Sequence, residues 1–372
     1  MKREILLYGD SQSNADILYF TGVFVPDPFF SFTMGGKKCA LIGSLEVGRL
    51  RSNSKLDRVF DLSFELKTLP DSERRDDISV LGAILKKNKI KNFYVPKNFP
   101  SYHLERLRAD GFDLKVLDSE IFPSREVKSR AEIAQIKRAN SVAEAAFEYS
   151  EEILRNSKID RGILFWRGYV LTSEILRAEI EKLCLSLGAD AMHTIVAAGN
   201  QACNPHEVGH GAIPANSLIV IDIFPRLRDT GYFGDMTRTF LKGFPSEAQY
   251  RLVSAVLKAQ SKAILAIKAG VSGSDVHSKV CEVFEGCGYK TECRRGVWGG
   301  FFHSTGHGLG LEVHESPSLG TREVKLKAGN VVTVEPGLYY RGLGGCRIED
   351  NVAVEKSRAR LLSEYHYRWI LE

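Results

Sequence analysis

The 372-residue chain has no run of about 18 or more apolar residues, which excludes an ordinary membrane-spanning helix. Its first residues, MKREILLYGDSQSN, are broken by charge too early for a secretory signal peptide. The seven cysteines, at 39, 184, 203, 281, 287, 293 and 346, include no CxxC pair and are odd in number. That argues against a zinc ribbon or a disulfide framework and for reduced thiols in a cytoplasmic protein. None of them stands in a nucleophile context. There is no low-complexity segment and no repeat at the roughly 20–50-residue periods of solenoids. A basic tail is also missing. Residues 1–125 carry 20 basic and 17 acidic side chains and the remainder 31 and 29, so the net charge of +5 is spread thinly. Such a surface is solvated rather than shaped for a polyanion. Neither nucleic acid nor membrane is an expected partner.

What is present is a globular composition, 44% hydrophobic and 26% charged, at a length that suits about two domains. Residues 1–122 read as a small α/β domain. CALIG (39–43) and NFYVP (92–96) have strand character, 77–89 has helical character, and NADILYFTGV (14–23) reads as a loop entering a strand. No catalytic constellation falls in this half. Pro123 and Ser124 punctuate the chain, and residues 123–372 form the second domain. It opens with a long amphipathic helix over about 125–154, with Ile133, Ile136, Ala139 or Asn140, and Val142–Ala146 at helical spacing. Further helices are expected over about 170–187, from the capping box Ser246-Glu247-Ala248-Gln249 to about Lys268, and over 274–286. Strands are expected at 193–199, 218–225, 232–242, 330–335 and 346–355. The second half is therefore α+β, built on hairpins rather than βαβ units.

The chemistry concentrates in this half. In SLIVIDIFPRLRDTGYFGDMTRTF (217–240) two strands flank a turn. With the turn centred on 228–229, Asp222 and Asp235 pair directly. Two opposed carboxylates repel unless a cation lies between them or water solvates both. A second hairpin places Glu335 at the end of one apolar strand and Glu349 inside another, joined by Arg341–Gly345. A buried, unpaired carboxylate is costly. Arg347 lies two residues before Glu349, on the same strand face, so Glu349 is either half of an ion pair or a ligand beside a positive charge. FFHSTGHGLGLEVHE (301–315) gathers His303, His307 and His314. Ser304 and the alternating glycines argue against a helical zinc pair and for a loop leading into a strand. In NPHEVGH, His206 is a candidate functional residue and His210 a loop residue.

The order Asp222, Asp235, His307, Glu335, Glu349 resembles the dinuclear site of the pita-bread metallopeptidases, and within them the Xaa-Pro branch of prolidases and Xaa-Pro aminopeptidases. IDIFPR…GDMTRTF, HSTGHGLGLEVHE, TVEPGLY and RIEDNVAV carry the resemblance. NADILYFTGV and REVKSRAEIAQIKRAN extend it upstream to a creatinase-type N-terminal domain and its linking helix. The resemblance implies a pita-bread (creatinase/aminopeptidase) fold in the second domain. It implies two divalent metals, manganese first with cobalt or zinc able to substitute, held by Asp222, Asp235, His307, Glu335 and Glu349. It further implies Glu335 as proton relay, His314 at the oxyanion, and His206, His303 and Arg347 around a proline-containing peptide, in a homodimer. One departure stands out: Ile223-Phe224-Pro225-Arg226 follows Asp222 where relatives carry small residues, adding bulk there. Two other readings on the same fold are a different hydrolase and a non-catalytic binding module; five intact ligands count against both, and the absent charged tail against the second.

Overall fold

The computed structural model describes residues 4–70 and 74–372. The chain divides into two compact units, Met1–Pro123 and Ser124–Glu372.

The first unit is built on a four-stranded sheet ordered Leu6–Gly9, Phe29–Met34, Lys37–Ile42, Arg58–Asp61, antiparallel except for its last pair. A parallel pair, Asn92–Val95 and Asp113–Val116, joins it through an Ile5–Tyr94 bridge. Strand alternation divides the core. Phe30 and Phe32 pack with Leu81, Leu85 and Phe93 on one face, and Phe29 packs with Ile17, Phe20 and Leu50 on the other. The segment read as a loop at 14–23 is instead a helix, Ala15–Thr21. The Asn14 side chain accepts from the N–H groups of Asp16 and Ile17, and Gly22 closes the helix in the left-handed region with φ 74°. An Asn cap before and a Gly after are helix punctuation, and they outweigh the β-leaning character of the residues between.

The second unit holds a four-stranded sheet, Ile195–Ala198, Ile219–Ile223, Met236–Lys242, Ile370–Leu371, and a five-stranded sheet, Glu315–Leu319, Gly306–Gly308, Val331–Val334, Asp350–Val354, Ala359–Leu361. An antiparallel bridge between Thr237 and Glu349 joins them, with the Glu349 N–H donating to the Thr237 carbonyl at 3.0 Å. Helices Arg130–Arg155 and Ser173–Ser186 cover the first sheet, whose Ile219, Ile221, Ile223 and Phe240 meet Phe147, Leu176 and Ile180. Helices Glu247–Ala266 and Gly273–Gly286 share a second core with Val332, Val334 and Val352. Capping boxes close the N-termini of two of these helices, Ser129 with Glu132 and Ser246 with Gln249. The long helix therefore begins at Arg130 rather than near 125, with Pro123–Glu126 a 3₁₀ turn before it.

This helix runs across both sheets. Its first turns, Ile133 and Ile136, pack on the five-stranded sheet with Val331 and Ala353, and the rest of its apolar face packs on the other. Asn140, fully buried, sits where the two faces change over. Its Oδ1 accepts from the Asp235 N–H (3.1 Å) and from Asn351 Nδ2 (2.9 Å), and its own Nδ2 donates to the Leu362 carbonyl. A polar residue on an apolar stripe is thus a fixed junction between the sheets.

Two expected pairings are corrected. Asp222 lies opposite Thr237, not Asp235, because the register is shifted by two residues. Arg226 keeps to the shifted register, bridging Phe233 across the hairpin, while the outer edge of Arg226–Leu227 pairs with Ala189–Asp190. A shift of two keeps both carboxylates on the same face; a shift of one would have reversed one of them. Glu349 is not inside a strand. The expected 346–355 strand is two, Gly344–Arg347 and Asp350–Val354, and Glu349 lies in the break.

Gly234 tests this arrangement. A Cβ there would meet Ala139 C at 2.6 Å and Asn140 N at 2.7 Å, both backbone atoms of the long helix. Gly234→Ala is expected to lower stability by about 1–3 kcal/mol, as overpacking does, and to move Asp235 with it. Urea unfolding measures the first effect, and weakened metal binding in the folded variant the second.

Candidate metal centre

Asp222 is carried by a central strand, on the face opposite Ile219, Ile221 and Ile223. Asp235 immediately precedes the neighbouring strand. Glu335 and Glu349 share one origin. The hairpin pairs Val331–Val334 with Asp350–Val354 in the five-stranded sheet, then Gly337–Tyr340 with Gly344–Arg347 in a separate ribbon, in the same register. Glu335 and Glu349 are the opposed positions in the gap, where both chains leave one sheet for the other. His307 comes from the short strand Gly306–Gly308, which lies very close to its neighbour. A Cβ on Gly306 would sit 2.0 Å from the Thr333 carbonyl oxygen, so only glycine fits.

These elements bring all five expected ligands together. Donor atoms of Asp235, His307 and Glu349 lie within 4.8 Å of one another. His307 Nε2 is 3.3 Å from Glu335 Oε1 and 3.8 Å from Asp235 Oδ2. His307 Nδ1 is 3.1 Å from the Gly308 carbonyl, which can only accept, so the proton is on Nδ1 and the Nε2 lone pair faces the carboxylates. Burial lowers the pKa of this imidazole and keeps it neutral. Glu349 accepts from Thr237 Oγ1 at 2.7 Å, and Glu335 is approached by Thr333 Oγ1 at 3.4 Å.

Arg347 does not pair with Glu349. Its Nη2 donates to Asp222 Oδ2 at 2.6 Å, and its Nε donates to Thr237 Oγ1 at 3.3 Å. The break after Arg347 means that simple strand alternation does not carry on to Glu349. Nη1 of Arg347 reaches the Tyr339 hydroxyl (3.2 Å) and the Pro205 carbonyl (3.3 Å), tying down the loop that carries His206. The Tyr339 hydroxyl lies 3.0 Å from His303 Nε2, and His303 Nδ1 is 2.8 Å from the Ser304 carbonyl. The proton pattern is consistent throughout: Nδ1–H donates to Ser304, and Nε2 accepts from Tyr339. Burial and the Arg347 charge press the His303 pKa down to about 3, so the ring is neutral. His303 thus has both nitrogens engaged. His314 is exposed, its ring 4.2 Å from that of His307. His206 is exposed and within electrostatic range of His303 and His314. His210 pairs with Glu207 in the same loop.

Of the bulky departure after Asp222, Ile223 is buried in the core on the far face and Arg226 stacks on Phe233. Phe224 is half-buried. The sequence assigned no role to Tyr339, Thr237, Thr333 or Asn140. Only Thr333 stands within an apolar run, a recognisable signal; Asn140 and Thr237 find partners about 100 or more residues away.

The electrostatics are unbalanced. Burial, then the neighbouring carboxylates, raise Asp235 and Glu349 well above the ordinary carboxylate range. Burial lifts Glu335 from 4.5 to about 7, with Arg347 pulling the other way and Asp222 adding to the rise. Asp222 Oδ1 is buried with no hydrogen-bond partner. Oxygen-rich donors, one imidazole nitrogen, clustered negative charge and an orphaned carboxylate oxygen together fit a divalent cation.

A stability consequence follows. The folded metal-free chain holds protons that the unfolded chain releases, because these pKa values are raised on folding. The stability linked to Glu335 is complete below about pH 4.5 and is lost as pH rises to about 7. The melting temperature of metal-stripped protein is expected to fall across that window and to recover on adding a divalent cation. Glu349→Gln removes one repelling charge and is expected to raise the metal-free melting temperature while weakening the recovery. A metal-free melting temperature that is flat with pH would contradict the charge assignment.

Residues 134–356 match Metallopeptidase family M24. The chain is 29% identical over 357 residues to the Xaa-Pro dipeptidase of Pyrococcus furiosus, covering 94% of this chain and 91% of that one. It is 32% identical over 282 residues to the Xaa-Pro dipeptidase of Pyrococcus horikoshii, covering 74% of each. Its structure resembles that of X-Pro aminopeptidase from Thermotoga maritima with a TM-score of 0.82 and 26% identity, over 99% of this chain and 97% of that one. The α+β architecture is the pita-bread fold of these enzymes. All five candidate positions fall inside the matched segment, and the chain belongs to metallopeptidase family M24.

Proposed function

We propose that the chain is a metal-dependent exopeptidase that hydrolyses the bond between an N-terminal residue and proline, in Xaa-Pro dipeptides or at the start of longer peptides. The observation that carries this reading is the convergence of the Asp235, Glu335 and Glu349 carboxylates on His307, with Asp222 in electrostatic range. Relatives bearing Xaa-Pro dipeptidase and X-Pro aminopeptidase names support the substrate class.

Asp222, Asp235, His307, Glu335 and Glu349 would hold two divalent cations, manganese first, with cobalt or zinc in its place. Bound there, such a pair supplies Lewis acidity and a nucleophilic hydroxide near neutral pH. The chain's own residues do the rest. Glu335 takes and relays a proton. His314, exposed beside His307, donates to the scissile carbonyl oxygen as charge develops on it. His206 takes the proline side of the peptide. His303 shapes that side through Tyr339, and Arg347 fixes both Asp222 and the His206 loop. Proline makes a dedicated site worthwhile, since the Xaa-Pro amide offers no N–H for a backbone grip and a ring-shaped pocket replaces that contact.

In the same proposal, residues 1–122 are the creatinase-type domain, 123–372 the catalytic domain, and the working form a homodimer. Seven free cysteines favour a cytoplasmic setting. Among the described residues no helix is long and apolar enough to cross a membrane.

Manganese-loaded protein given Ala-Pro, Ala-Pro-Ala and Met-Ala-Ala together is expected to consume a proline peptide and spare Met-Ala-Ala, read by mass spectrometry. Cleavage of Met-Ala-Ala alone would overturn the Xaa-Pro assignment. Asp235→Ala is expected to abolish both metal binding and hydrolysis. His314→Ala should lower kcat about 100-fold with metal retained. An unchanged kcat would remove His314 from the oxyanion.

A further inference from the structure

Beside His303 and Tyr339, whose neighbour Phe302 forms part of its wall, lies a cavity of about 460 Å³ lined also by Asn200, Asn204, Glu207, Trp298 and Arg341. Its walls are continuous with the site. Phe302 adjoins Tyr339, with ring centroids 5.4 Å apart, and adjoins His303 at 6.4 Å. Trp298 continues this aromatic wall outward, 6.4 Å from Phe302. Trp298 sits on a short ribbon, Glu292–Arg294 with Val297–Gly299, which is pinned to the Tyr339 strand by a Gly300–Tyr339 bridge. The opposite wall is the loop that carries His206, between Asn204 and Glu207. Asn200 Oδ1 accepts from the Gly342 N–H at 2.7 Å and fixes the Arg341 turn against that loop.

The polar groups of the cavity are unequal. Glu207 is occupied, accepting from the Gly209 N–H and facing His210. Arg341 is exposed and has no ion-pair or hydrogen-bond partner among the described residues. An aromatic wall leading from the proline end of the site to an uncommitted guanidinium matches one chemical object, an apolar residue with a free carboxylate.

We propose that this cavity is the subsite for the residue after proline. Its side chain lies against Trp298 and Phe302, and its terminal carboxylate is held by Arg341. The preferred substrate is then a tripeptide, Xaa-Pro-Yaa, with a large apolar Yaa. The proposal deepens the Xaa-Pro reading and rests on it for the direction in which the peptide lies.

Two readouts test it on the full chain in manganese-containing buffer. In calorimetric titration, Pro-Phe is expected to bind about tenfold more tightly than Pro-Phe-amide, a gap that Arg341→Gln closes. Trp298→Ala, a change at a half-exposed ring, should erase the preference for Pro-Phe over Pro-Ala. In steady-state kinetics, Ala-Pro-Phe should exceed Ala-Pro-Phe-amide in kcat/KM, chiefly through KM. Equal binding of acid and amide by the unmodified chain overturns the subsite, as does a gap that survives Arg341→Gln. Hydrolysis of Ala-Pro separates the two readings. If Ala-Pro is cleaved but carboxylates are not discriminated, the subsite falls and the peptidase stands. If Pro-Phe binds through its carboxylate to a chain that cleaves no proline peptide, the subsite stands and the peptidase falls.

Discussion

Crowding of negative charge in a buried place is the constraint on which the molecule is organised. Asp222, Asp235, Glu335 and Glu349 face one another out of water, and each raises the cost of ionising its neighbours. Arg347 offsets part of that cost, and the Thr237 and Thr333 hydroxyls a little more. A chain selected for stability alone would not keep this cluster. It is the kind of local violation that marks a functional site, supported by the structure around it.

That support comes from the backbone. The five candidate ligands arise from two sheets, and the sheets are joined by few but buried links. Arg238 donates to the Glu349 carbonyl at 2.7 Å and pairs with Asp350 at 2.8 Å. Asp350 also receives Gln260, Ser363 and Tyr367. Asn140 ties the long helix to Asp235 on one side and Asn351 on the other. A buried ion pair is a weak source of net stability, but one surrounded by donors fixes geometry, and that is what a metal site needs.

The same network reaches the substrate side. Arg347 touches Asp222, Tyr339 and the Pro205 carbonyl, and Tyr339 holds the neutral His303. Asp222, the aromatic wall and the His206 loop are therefore parts of one hydrogen-bonded unit. The aromatic wall then passes through Phe302 to Trp298, where solvent begins.

Much of this was determined by sequence alone. That Asp222, Asp235, His307, Glu335 and Glu349 belong together was legible from their order in the chain and its resemblance to a known family, because metal chemistry restricts which side chains can serve. Apolar periodicity and capping boxes were legible because helix ends and faces are local properties, as at Ser129 and Ser246. The short helix at Ala15–Thr21 was locally encoded as well, in its Asn and Gly ends, but a β-leaning composition concealed it. Other features needed the folded chain. The pairing of Asp222 with Thr237 depended on where the hairpin turns, at Leu227–Gly231, and on the pairing of its Arg226–Leu227 end with the distant Ala189–Asp190. The seat of Glu349 depended on a ribbon that changes sheets, and the partner of Arg347 depended on that same break. Asn140, Thr237 and Tyr339 acquired their roles from groups far away in the chain. Residue type and local pattern specify which atoms are supplied; only tertiary packing sets which of them meet, because register, breaks and long-range hydrogen bonds are decided by competition among all the segments at once.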